Sequence, residues 1–204
     1  MINKKEQGFV LWFTGLPCSG KTTVADRVAE ELKKKGRKTE RLDGDIVRKS
    51  LTSDLGFSKQ DRDENIKRIT FVAKLLSRNG VATLVTFISP YRKKRNQARK
   101  ETTNFIEVFV KCSVEECEKR DVKGMYKLAR KGEIKDFTGI SDPYEEPESP
   151  EIVLDTEKES VEQSAEKVLE YLQENGFIEK ETVKYSKEEE ERIKKRLRDL
   201  GYIE

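Results

Sequence analysis

The sequence predicts a three-layer α/β fold: a mostly parallel five-stranded sheet with helices on both faces. Two observations carry this expectation. Short runs rich in β-branched and aromatic residues alternate along the chain with longer segments whose apolar residues recur at helical spacing, the pattern of parallel strands joined by crossover helices. The first of these runs is apolar and β-branched or aromatic, which reads as a strand buried on both faces. A length of 204 residues suits one domain of this kind.

Taken in order, Gly8–Thr14 (GFVLWFT) reads as the buried strand and is stopped by Gly15. Thr22–Lys35 follows as a helix with Val24, Val28 and Leu32 on one face and Gly36 as its stop. Lys38–Leu42 is a weak second strand ending at Asp43-Gly44-Asp45, and Ile46–Leu51 a short helix. Asp61–Asn79 places Ile66, Ile69, Val72, Ala73 and Leu76 on one face and is the clearest amphipathic helix. Val81–Ile88 is a third strand that leaves through Ser89-Pro90, Tyr91–Glu101 a basic helix, Phe105–Val110 a fourth strand and Val114–Arg120 a short helix. Residues 122–150 are rich in Gly, Lys and Pro, have little core-forming character and read as a mobile lid or binding loop. Ile152–Leu154 returns as a fifth strand, and Val161, Ala165, Val168, Leu169 and Leu172 mark a helix ending at Gly176. The domain is therefore expected to span residues 1–179, with 180–204 as a charged helical extension. In that extension Lys187–Asp199 carries one thin apolar stripe, Ile193, Leu197 and Leu200, which suits either a solvated helix or a docking tag.

Composition narrows the function. The 42 Lys+Arg and 39 Asp+Glu give a net charge of +3 from interspersed populations, so no nucleic-acid-binding field is built. Charged residues make up 40% of the chain, against a usual share of about 25%. With 2 Met and 3 Cys, the balance resembles that of ion-pair-rich proteins that work hot. There is no histidine, which excludes imidazole zinc sites, Ser-His-Asp triads and imidazole proton shuttles. Cys18, Cys112 and Cys117 form no disulfide framework, which fits a reducing cytoplasm. No apolar stretch reaches the roughly 18 to 20 residues of a membrane span, and no leader-type segment opens the chain.

The chemistry is concentrated in Gly15-Leu16-Pro17-Cys18-Ser19-Gly20-Lys21-Thr22, which fits the phosphate-binding pattern G-x-x-x-x-G-K-[ST] between a buried strand and a helix start. Its glycines let backbone N–H groups turn toward phosphate oxygens, Lys21 reaches the β and γ phosphates, and the Thr22 hydroxyl serves Mg²⁺. A nucleoside triphosphate is the expected ligand, and the fold becomes that of a P-loop NTPase. Ligands of open parallel sheets lie beyond the carboxyl ends of the strands, where Asp43 and Asp45 stand. Asp45 is assigned as the base for an acceptor hydroxyl, with either carboxylate available to Mg²⁺ through water; a helix cap is the plainer role for Asp45. Ser89 is read as a hydrogen-bonding residue or a phosphate acceptor. Arg48, Arg62 and Asn65 suit an anionic acceptor, or simply the surface.

In order along the chain, Gly15–Thr23, Leu42-Asp-Gly-Asp-Ile-Val-Arg48, Leu55-Gly-Phe-Ser58, Asp61-Arg-Asp-Glu-Asn-Ile66, Phe87-Ile-Ser-Pro-Tyr-Arg92, Asp121-Val-Lys-Gly124, Lys135-Asp-Phe-Thr-Gly-Ile140 and Pro147-Glu-Ser-Pro-Glu151 resemble the adenylyl-sulfate kinase family. The resemblance implies transfer of the ATP γ phosphate to the 3′ hydroxyl of adenosine 5′-phosphosulfate (APS), giving 3′-phosphoadenosine 5′-phosphosulfate (PAPS) and ADP with Mg²⁺. It implies that Gly15–Thr23, Arg120 and Arg130 serve ATP, and that Phe57 and Phe137, otherwise equally readable as core, sandwich the APS adenine. Asp43, Asp45, Arg48, Arg62 and Asn65 would complete the acceptor side, Ile88 and Ser89 would line it, and Lys123, Asp136 and Phe137 would come from the lid. Catalysis would rest on Lys21, Asp45 and Ser89, the last at a position associated in this family with a phosphorylated serine. The resemblance also implies a homodimer and leaves room for a sulfurylase or another partner at the terminal helix. Ile46 and Lys49 depart from the Asn and His common there. Two other readings stand beside this one: another small-molecule P-loop kinase, and a nucleotide-binding regulatory module.

Overall fold

A computed structural model of the chain describes residues 7–179 and 187–202; residues 1–6, 180–186 and 203–204, and with them parts of the expected extension, lie outside the described residues. The strands are β1 (Phe9–Thr14), β2 (Thr39–Asp43), β3 (Ala82–Thr86), β4 (Phe105–Lys111) and β5 (Ile152–Asp155), all parallel in the order β2-β3-β1-β4-β5. The helices are α1 (Lys21–Lys34), α2 (Gly44–Val47), α3 (Lys59–Arg78), α4 (Arg92–Glu101), α5 (Val114–Lys119), α6 (Met125–Arg130), α7 (Val161–Glu174) and α8 (Lys187–Asp199). None is long and apolar enough to cross a membrane.

β1 holds the centre, with Leu11 opposite Leu84 on one side and Ile106 on the other. Successive side chains of a strand point to opposite faces, so an apolar β1 feeds two cores at once. Phe9, Leu11 and Phe13 join Val24, Val28 and Leu32 of α1 and Val168 and Leu172 of α7 on one face. Val10 and Trp12 meet Ile66, Ile69 and Ala73 of α3 and Ala98 of α4 on the other. α3 starts where Ser58 accepts the Asp61 N–H, and α7 starts with a full capping box, Ser160 with Gln163. α1 differs: Gly20 caps it at φ 95° with no side-chain cap, leaving its first amides without an internal acceptor.

Three expectations need correction. The short helix after the second strand is α2, ending at Val47 rather than Leu51; Val47 is its only buried residue, and turns take over from Arg48. Its cap is Asp43, whose Oδ1 accepts the Asp45 N–H at 2.9 Å, so the capping role considered for Asp45 belongs to its neighbour. Residues 122–150 do form a core. α6 buries Tyr126 and Ala129 and the following loop buries Phe137, in a third cluster with Leu16, Cys112 and Cys117. The partners of these residues come from the phosphate loop, the residue after β4 and α5, so no local periodicity betrays them. α8 occupies the helix expected for the extension, with Leu197, Leu200 and Tyr202 exposed.

Candidate active site

The turn from β1 into α1 is shaped by close approach. A Cβ on Gly15 would stand 2.4 Å from the Val110 carbonyl oxygen of β4 and 2.8 Å from Ser19 Oγ, so only glycine lets the loop lie against that strand. Lys21 folds back over the loop, its Nζ donating to the carbonyls of Gly15 at 3.0 Å and Leu16 at 2.6 Å. Burial pulls its ammonium down to about 8, against weaker opposition from nearby thiols and Asp43. Ser19 is fully buried, whereas Thr22 and Thr23 face solvent. Pro17 presents its carbonyl to the Tyr126 hydroxyl at 3.0 Å, which ties α6 to the loop. Burial raises the Cys18 thiol, with Asp121 adding to the shift, so Cys18 is a protonated filler.

Beside the loop lies a cleft of about 660 Å³ lined by Lys21, Thr22, Arg120, Val122, Thr156 and Ser160 among others. Arg120 donates to Thr156 Oγ1 at 3.2 Å and to its carbonyl at 2.7 Å, and Thr156 Oγ1 donates to the Ser19 carbonyl at 2.9 Å. The structure thus adds Thr156 to the phosphate side. Sequence reading missed it, although it follows directly on β5, at the carboxyl edge where ligands collect. Arg130 does not line this cleft; it pairs with Glu118 at 2.6 Å.

The two carboxylates at the end of β2 have different surroundings. Asp43 is buried and accepts from Thr22 Oγ1 and Thr86 Oγ1, each at 2.9 Å. Burial alone would raise its carboxyl, but these hydroxyls, the Asp45 N–H and Arg41 hold it below the usual carboxylate range. Thr86 ends β3 where many phosphate-loop proteins carry an acid, so Asp43 covers from β2 the position that β3 leaves without charge. Asp45 is exposed, and its carboxylate pairs with the Lys123 ammonium from the turn before α6.

On the acceptor side, Arg62 is the joint. Its Nε donates to the Phe57 carbonyl at 2.8 Å, and its other nitrogens reach Thr138 Oγ1, the Asp136 carbonyl and Asp142 Oδ2, the last at 3.1 Å. One guanidinium therefore fixes the two segments that carry Phe57 and Phe137. Phe57 is exposed, with the Arg48 guanidinium over its ring at 4.4 Å. Phe137 is buried edge-on against Tyr126 at 4.9 Å between centroids. Asp136 reaches Phe137 through a left-handed backbone at φ 53°. Asn65 is buried on α3 with its Oδ1 lacking a protein partner, an acceptor kept for something else.

Ile88 and Ser89 close the wall. The Ile88 carbonyl accepts from Thr14 Oγ1 at 2.7 Å, and Ser89 Oγ accepts the Trp12 indole N–H at 3.1 Å. Ser89 itself is buried. Behind it stand Arg95, Tyr91, Asp142 and Tyr144, none of which the sequence singled out.

Comparison with known proteins identifies the family. The family model for adenylylsulphate kinase matches residues 7–155. An adenylyl-sulfate kinase of Halothermothrix orenii is 59% identical over 175 residues, covering 86% of this chain and 95% of that protein. One from a Picosynechococcus species is 56% identical, covering 85% and 98%. The structure of the Mycobacterium tuberculosis APS kinase in complex with AMPPNP and APS superposes with a TM-score of 0.79 at 43% identity, over 82% of this chain and 98% of that one. The family model covers well over half of the chain, and the chain belongs to the adenylyl-sulfate kinase family.

Proposed function

We propose that this protein transfers the γ phosphate of ATP to the 3′ hydroxyl of APS, releasing PAPS and ADP. The observation that carries the reading is the join made by Arg62: it ties the segment of the exposed Phe57 to that of the buried Phe137, whose ring packs in one cluster with Leu16 of the phosphate loop. Two rings serve a second purine better than a sugar or a simple alcohol, and each stacked base is worth about 1 to 3 kcal/mol. A like complex is described for the Mycobacterium tuberculosis relative, which binds APS together with AMPPNP.

ATP enters the cleft beside Arg120 and Thr156, with its phosphates on the uncapped start of α1 and on Lys21. Hard oxygen donors suit Mg²⁺, and the Thr22 hydroxyl backed by Asp43 is such a set; these residues would hold the ion, which neutralises phosphate charge. Asp45, not buried and not engaged in capping, is the group that takes the proton of the 3′ hydroxyl. Lys123, its partner in the free protein, is a second cation for the transferring phosphate beside Lys21. Arg48, Arg62 and Asn65 face the phosphosulfate and ribose, with Asn65 Oδ1 as the acceptor awaiting a donor. Ser89 holds the wall through Trp12; in-line transfer needs no phosphoserine. Residues 7–179 act as the catalytic unit and α8 as an appendage, and the exposed Phe71 on α3 supports self-association, which sedimentation would measure.

The test is ADP release with Mg²⁺-ATP and APS, adenosine 5′-monophosphate or water as acceptor. An APS-dependent rate is expected. If APS gives no more ADP than water while ATP still binds, the reading fails.

A further inference from the structure

Ser89 is one of only four non-glycine residues with positive φ among the described residues, at φ 48°. A left-handed backbone is strained for a residue with a Cβ and persists only where surroundings impose it. Those surroundings are specific. Each carbonyl from residue 88 to 90 is held: Ile88 by Thr14 Oγ1 at 2.7 Å, Ser89 by Arg95 Nη1, and Pro90 by the Glu145 N–H at 2.9 Å. The left-handed turn is what aims the Ser89 carbonyl inward, at a guanidinium only 1% exposed. Arg95 is itself oriented from two other sides. Its Nε donates to Glu107 Oε1 of β4 at 2.7 Å, and its Nη2 donates to the Glu145 carbonyl at 2.6 Å. Glu107 is shared with Arg99 at 3.2 Å, and Arg99 pairs with Glu151 at the threshold of β5.

We propose that Arg95, oriented by Glu107, is a positioning residue for the transfer reaction: it locks the Ile88-Ser89-Pro90 turn in its left-handed form and fastens the 142–146 segment to it, so that the acceptor is held in register with the phosphate loop. The inference rests on the APS kinase reading, because it gives Ser89 a place on the acceptor side. Arg95 touches neither nucleotide. Its fork supplies three hydrogen bonds in fixed directions, which lysine does not reproduce.

The test compares Arg95→Lys and Glu107→Gln, each alone and each combined with Ser89→Gly, since glycine adopts this backbone without strain. If Arg95 acts through the turn, Arg95→Lys raises the KM for APS about tenfold and leaves the KM for ATP within about twofold, and the rise shrinks to about threefold or less when Ser89→Gly is added. Glu107→Gln, which keeps an acceptor for Arg95, guards against a variant that fails to fold and should act in the same direction by a smaller factor. A second readout needs no turnover. Trp12 is the only tryptophan, and its indole N–H donates to Ser89 Oγ, so one ¹⁵N-labelled indole resonance reports the turn. Its hydrogen exchange should accelerate in Arg95→Lys. Equal KM changes for both nucleotides, the same penalty with and without Ser89→Gly, or an unchanged indole signal in the folded variants would overturn the proposal. Absence of APS-dependent ADP release in the wild-type protein together with accelerated indole exchange in Arg95→Lys would sink the kinase reading and leave Arg95 as the lock of the turn.

Discussion

The two halves of the cleft are built by different means. The proposed phosphate half is one unbroken stretch, Gly15–Thr23, whose backbone amides would ligate phosphate and whose shape is held by a close approach to β4 and by Thr156. The proposed acceptor half draws on Phe57, Arg62, Ser89, Lys123 and Phe137, whose segments are joined by guanidinium bonds to the Phe57, Asp136 and Ser89 carbonyls and by the Lys123–Asp45 pair. Backbone recognition tolerates side-chain change and reads any nucleotide polyphosphate. A side-chain network reads one acceptor and fails piece by piece.

The largest expected effect breaks the phosphate half at its one indispensable side chain. Lys21→Ala should lower kcat by about 10²- to 10³-fold, with the fold intact by circular dichroism. Asp45→Ala should follow, with a loss of about 10²-fold or more in kcat and little change in ATP affinity, measured by single turnover. Phe57→Ala sharpens the contrast: it should raise the KM for APS by about 5- to 100-fold without moving that for ATP. A pH dependence should belong to the phosphate half alone. Burial depresses Lys21 to about 8 in the free protein, so the ammonium is present below that pH and lost above it. Anionic phosphates need the charged form, so ATP affinity should fall by up to about tenfold per pH unit above about 8, and calorimetry in buffers of different ionisation heat should show proton uptake on binding there. The smallest effect is truncation after residue 179, which should leave kcat/KM within about twofold.

How much of this is legible beforehand follows the same division. β1, the phosphate loop and α3 are visible because each is a local pattern: an apolar run, a spaced motif, a helical stripe. β2 reads as ending a residue early because Asp43 looks like a strand terminator, yet it pairs with Thr86 and completes the strand. The cluster of Tyr126, Ala129 and Phe137 is illegible in sequence, since its other members are supplied by segments far away in the chain. Ser89 can be named as a site residue, but its left-handed backbone cannot, because the guanidinium that imposes it stands on α4. The engagement of Arg62 by Phe57, Asp136, Thr138 and Asp142, which takes up four of its five N–H donors, is likewise a tertiary fact about a residue that sequence reads only as a cation.

The central position of β1 has a consequence for how the molecule comes into being. Phe9 pairs with Ala82 and Val10 with Phe105, so β1, made before both partners, is without neighbours until β3 and then β4 have been made. Until then FVLWFT is an unpaired, largely apolar edge, the kind of segment that aggregates or engages a chaperone. Gly15 leans on Val110, so the nascent chain acquires a phosphate-binding loop only after β4 is in place. The loop that will hold phosphate is translated well before the strand that shapes it.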